Sequence, residues 1–177
     1  MKIILSIIIL FCGQFMAQSQ VYNISIQSLD GKTINMADYK GKKIIVASVS
    51  PDNLQRGQLL FLDSLQLSNP LVVVIIVPGT DFGGMNDSLE LEGIKRITSL
   101  HLTVAAAQGV KKVNGGNQNR LMRWLTNATS NTHFDADVQS DNQMYMISES
   151  GILYAVLQNY PSSGLIDRLI KQPDVKQ

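Results

Sequence analysis

The chain has 177 residues, 45% of them hydrophobic, with 15 lysines and arginines against 14 aspartates and glutamates. That length and apolar content suit one domain with a sizeable core and exclude a disordered or repeat protein. The near-neutral charge balance gives no electrostatic reason to expect nucleic acid or an anionic membrane surface as a partner, which leaves an unknown protein or small-molecule partner.

Read from the N-terminus, Lys2 is followed by the apolar run IILSIIILFCG. This is short for a bilayer span but suits the core of a secretory signal peptide, so residues 1–17 are expected to be removed after Ala17 and residues 20–177 to form the single mature domain. The product is expected to be periplasmic or secreted, with no integral membrane span. Bulky Phe11 precedes Cys12, where a lipidation signal needs a small residue, so a lipid anchor is not expected. Cys12 is the chain's one cysteine and falls inside the removed segment, which leaves the mature chain without a disulfide or a thiolate nucleophile.

Next, VYNISIQSL alternates, a turn DGK follows at Asp30 to Lys32, and TINM completes an N-terminal hairpin. Ile44 to Val49 and Leu71 to Val77 are nearly all apolar and largely β-branched, as strands buried on both faces are. Between them, Leu54 to Leu67 carries Leu59, Leu62 and Leu65 at helical spacing, giving one βαβ unit. A loop PGTDFGG, a helix over Ser88 to Leu100 and a short edge strand in LTVAAA come next. The turn-rich VNGGNQN precedes a helix bearing Leu121, Trp124, Leu125 and Ala128, and TNATSNTH reads as surface loop. The chain closes with QMYMIS, a turn ESG, the strand ILYAVLQ and a helix from Ser162 with Leu165, Ile166, Leu169 and Ile170 inward. This order predicts an α/β three-layer sandwich with a central mixed sheet and an added N-terminal hairpin.

Four segments, in order and covering about Tyr22 to Ile170, resemble the glutathione peroxidase family. LDGKTINMADYKGKKIIVASVSPDNLQ is similar to D-G-K…L-x-D-Y-K-G-K followed by N-V-A-S-x-C-G-x-T-P-Q, and VPGTDFGGMND to F-P-C-N-Q-F-G-G-Q-E-P. VNGGNQNRLMRWL is similar to V-N-G…H-P-L-Y-x-W-L, and VQSDNQMYMISESG to I-x-W-N-F-T-K-F-L-V-D-x-x-G. The resemblance implies a thioredoxin-like fold of the glutathione-peroxidase type and, as the family activity, thiol-dependent reduction of hydroperoxides in the response to oxidative stress.

The same alignment removes that activity. It puts Ser50 where active members hold cysteine or selenocysteine, Asp81 at the Gln, Ser140 at the Trp and Asp141 at the Asn, with Gly79 replacing a further cysteine of some relatives. A hydroxyl is far harder to ionise than a thiol and has no recoverable sulfenic state, while carboxylates offer acceptors where the family offers donors. The expectation is a member that is inactive as a peroxidase and acts as a noncatalytic binding or interaction protein, without a cofactor.

The competing reading is repurposed chemistry, including Ca²⁺ or Mg²⁺ held by Asp52, Asp81 and Asp141 in the crevice beside Ser50. No contiguous metal-loop spacing supports it, and solvated loop carboxylates are the simpler expectation. His101 and His133 lie outside any nucleophile-elbow context, which argues against a hydrolytic triad on Ser50. His133, Asp135 and Asp137 alternate, but they lack the glycine of a calcium-binding loop and read as an acidic surface segment. Sequons at Asn23, Asn86 and Asn127 carry no assigned role.

Overall fold

The computed structural model describes residues 20–51, 56–83, 100–158 and 161–174. Outside them lie residues 1–19, which include the expected signal peptide, together with Asp52 and nearly all of the helix expected over Ser88 to Leu100.

The two β-branched runs form the middle of the sheet. Strand β3 (Lys43–Val49) and strand β4 (Val72–Pro78) are buried at every position and pair in parallel, Ile45 opposite Val74 and Val49 opposite Pro78. Strand β5 (Thr103–Val104) extends the parallel set beyond β4. Strands β6 (Met144–Ile147) and β7 (Leu153–Leu157) run antiparallel on the other flank, giving the order β5-β4-β3-β6-β7. A separate hairpin, β1 (Ser25–Gln27) with β2 (Thr33–Asn35), pairs Ile26 with Ile34. Its turn contains Gly31 at φ 82, a left-handed conformation that an L side chain resists.

Helix α1 (Arg56–Ser68) connects β3 to β4, as the leucine spacing predicts. Helix α2 (Arg120–Leu125) is started by Asn119, whose side chain accepts from the Leu121 and Met122 amides. A short helix α3 (Ala128–Asn131) lies inside TNATSNTH, which the sequence presents as loop. Asn127 caps it by accepting from Thr129 N, and Thr132 at φ 66 ends it. A four-residue helix is too short for apolar periodicity to reveal. Helix α4 (Ser163–Ile170) begins at the expected Ser162, whose hydroxyl accepts from Leu165 N.

Alternation along the strands divides the core in two. Ile44, Val46, Val73, Ile75, Val77, Tyr145 and Ile147 face the hairpin and α2. Ile45, Ala47, Val49, Val74, Ile76, Met144 and Met146 face α1 and α4. The result is the mixed, three-layer α/β sandwich expected from the sequence. No helix among the described residues is long and apolar enough to cross a membrane.

At its starting end β3 carries a buried cation. Lys43 Nζ donates to Glu149 Oε2 at 3.0 Å and to the Gln172 carbonyl at 2.8 Å, and lies 5.3 Å from the centre of the Tyr154 ring. Tyr22 donates to the Glu149 carbonyl, so the first and last described segments meet on the same turn.

Candidate functional site

The other end of β3 is where the sequence places the site. Gly79 N donates to the Val49 carbonyl at 2.9 Å, and Ser48 N donates to the Gln143 carbonyl at 2.9 Å. These bonds bring Ser50, the segment 79–82 and the segment 140–143 to one rim at the finishing ends of the two central parallel strands.

Ser50 is 2% exposed, and its hydroxyl donates to the Phe82 carbonyl at 3.1 Å. A hydrogen bond given to a carbonyl holds the proton on the oxygen and supplies no base to remove it. Neither histidine serves Ser50 as a partner. His101 Nδ1 lies 3.4 Å from Asp63 on α1, and the His133 amide donates to Asn131.

Asp81 is the middle residue of the short turn Thr80–Phe82, and its carboxylate turns into the loop 110–114. Oδ2 accepts from the amides of Val110 and Lys111, and Oδ1 accepts from the Asn114 side chain at 2.7 Å. Burial pushes the Asp81 carboxyl upward, but hydrogen bonds from Asn114, Lys111 and Val110 and the nearby Lys111 charge outweigh it. The carboxyl sits below its ordinary value. The sequence suggests a bare carboxylate bearing on Ser50; here its charge is answered by three donors, because the loop amides would otherwise lack acceptors.

Two glycines make this arrangement possible. A Cβ on Gly109 would stand 2.3 Å from the Asn114 side chain, so only glycine lets Asn114 cross that backbone. A Cβ on Gly79 would stand 2.8 Å from a Val110 methyl carbon, which closes the position where some relatives place a cysteine. Neither Gly109 nor Asn114 was legible as part of the site; the only hint was the turn-forming VNGG.

On the third side of the rim, Ser140 Oγ is closed off from water with no hydrogen-bond partner, and Asp141 is half-buried. Asn142 takes the left-handed conformation at φ 62. Gln143, fully buried, donates to the Tyr145 hydroxyl and accepts from Gln139 N, both at 2.8 Å. Burial, with the charge of Asp137 adding to it, pushes the Tyr145 phenol far above its ordinary value, so it stays protonated at neutral pH. Sequence reasoning missed this brace because Gln143 and Tyr145 look like ordinary strand residues.

The alternating segment His133, Asp135 and Asp137 does not converge on a metal. Asp135 pairs with Lys112 Nζ and Asp137 accepts from Lys112 N. Among the described residues no three His, Cys, Asp or Glu side chains are placed to hold a metal ion.

No family model and no curated protein matches this sequence. Solved structures do match. The apo form of Trgpx shares 19% identity, covering 89% of this chain and 98% of that one, with a TM-score of 0.65. GPX1 of T. cruzi shares 13%, covering 85% and 93%, with a TM-score of 0.64. Etrx1, the exposed lipoprotein thioredoxin of Streptococcus pneumoniae strain TIGR4, shares 17%, covering 84% and 97%, with a TM-score of 0.55. The fold is thioredoxin-like. In this thioredoxin-like sheet, the rim built by Ser50, Asp81, Ser140 and Asp141 carries two hydroxyls and two carboxylates, and no soft nucleophile.

Proposed function

We propose that the chain is an exported homologue of the glutathione peroxidases whose four catalytic positions, Ser50, Asp81, Ser140 and Asp141, are replaced, and that it works as a noncatalytic binding or interaction protein. Supporting the ancestry are the four sequence segments and the better overlay on the two peroxidase-named structures than on Etrx1. Supporting export are the apolar run after Lys2 and the likeness to an exposed lipoprotein.

The observation that carries the loss of activity is Ser50 itself, a buried hydroxyl whose proton is held by the Phe82 carbonyl. Peroxide cleavage needs an ionised, soft nucleophile that passes through a recoverable sulfenate, and Ser50 has neither property. A divalent cation in the Ser50, Asp81 and Asp141 crevice is the competing reading. It is disfavoured because both Asp81 oxygens already accept from the loop.

The test is hydroperoxide reduction by the purified protein with glutathione or thioredoxin as donor. No turnover above the buffer rate is expected. Turnover abolished by Ser50→Ala overturns the reading, and so does a rise in melting temperature with millimolar Ca²⁺ or Mg²⁺ that disappears in Asp81→Asn.

A further inference from the structure

A second hollow shares none of the four rim residues. It has a volume of about 350 Å³ and is lined by Gln20, Asn23, Ile24, Arg120, Arg123, Trp124 and Ser130. Its lining holds two guanidinium groups, two amides, a hydroxyl and an indole, and no carboxylate.

Arg120 and Arg123 lie three residues apart on α2, so they sit on neighbouring positions of the helix surface. Two like charges at that spacing weaken a helix slightly, and among the described residues neither is paired with a carboxylate. Arg123 is already held in place, donating to the Gly116 carbonyl at 2.7 Å and the Gln118 carbonyl at 3.3 Å. Trp124 is 5% exposed, and its Nε1 is buried with no hydrogen-bond partner. The amides of Leu121 and Met122 are taken by Asn119, so the donors on offer are side chains.

We infer that this hollow binds a small oxyanion, a carboxylate or a phosphate group. The two guanidinium groups grip the charge, and the Ser130 hydroxyl and the Asn23 amide complete the donor set. Ile24 and the Trp124 ring give an apolar wall against which the organic part of such a ligand packs. This goes beyond the loss of catalysis at Ser50: it names a ligand class at a separate place, and its failure leaves the noncatalytic reading standing.

Trp124 is the chain's single tryptophan, so intrinsic fluorescence reports on the hollow directly. The experiment titrates purified protein with inorganic phosphate and, separately, with propionate, at ionic strength held constant with sodium chloride, and repeats each titration by calorimetry. A saturable response to at least one probe, absent with chloride alone, is expected; which probe saturates tells phosphate from carboxylate. Arg120→Gln should weaken it roughly tenfold or more, and Arg120→Lys should recover part of that by restoring the charge without the fork. Asn23→Asp, an exposed change that sets a carboxylate at the mouth, should abolish binding while leaving thermal melting unchanged. A response no larger than that of chloride, or full binding in Arg120→Gln or Asn23→Asp, overturns the inference.

Discussion

The two ends of β3 handle buried polarity in opposite ways. At the starting end, Lys43 is charged and 6% exposed, and it is answered by a carboxylate, a carbonyl and an aromatic face from the last third of the chain. At the finishing end, Ser50 is neutral and equally buried, and one hydrogen bond to a neighbouring loop satisfies it. Asp81, which follows β4 at that end, has its charge spent on holding the loop 110–114. The starting end ties the last third of the chain to the central strand through a charge, and the finishing end, proposed above to match a catalytic rim, is held by a neutral hydrogen bond and by a carboxylate turned into its own loop.

The largest loss of stability is expected at Lys43. Lys43→Ala removes the cation from Glu149 and leaves the Gln172 carbonyl without its donor, and a cost of about 3 kcal/mol is expected. A urea unfolding midpoint measures it; a loss under roughly 1 kcal/mol would mean the clasp is ornamental.

Gly79→Cys comes next. The new Cβ must push Val110 aside, at a cost of about 2 kcal/mol. Pairing it with Val110→Ala should recover part of the loss, and no recovery would place the strain elsewhere.

Asp81→Asn tests the rim through pH. Because the folded carboxyl sits below its ordinary value, it adds stability that is fully present above that value and lost as pH falls through the folded one. Denaturant midpoints of the parent should therefore drop below about pH 4, and the variant should show a shallower drop. Parallel acid limbs would show that the loop donors do not stabilise the charge.

Ser50→Ala should be mildest, about 1 kcal/mol or less, since a single neutral hydrogen bond is lost. Ser50→Cys sharpens the same point. A thiol at a position this enclosed should react slowly with iodoacetamide near neutral pH, and Asp81→Gln in that background should change the rate little. A large acceleration would mean that the Asp81 charge does reach position 50.

Strand positions were legible because β3 and β4 are buried on both faces, and a run such as VVVIIV has no other comfortable place in a single domain. The start of α4 was legible from Ser162 because a capping hydroxyl leaves a local signature. The direction of the Asp81 carboxylate was not, since it depends on Gly109 and Asn114, whose pairing is set by the path of a loop. The Gln143–Tyr145 brace was hidden for the same reason: two residues on a strand do not reveal which buried donor each will meet. The resemblance put Ser50 and Asp81 on one rim, and what it could not supply was their partners.

Lys43 has one further consequence. Its carbonyl acceptor lies 129 residues downstream, and β6, its strand's antiparallel neighbour, is also made late. During synthesis the central strand therefore waits with one edge open and an ammonium unmatched, and the domain cannot close until nearly the whole chain has emerged.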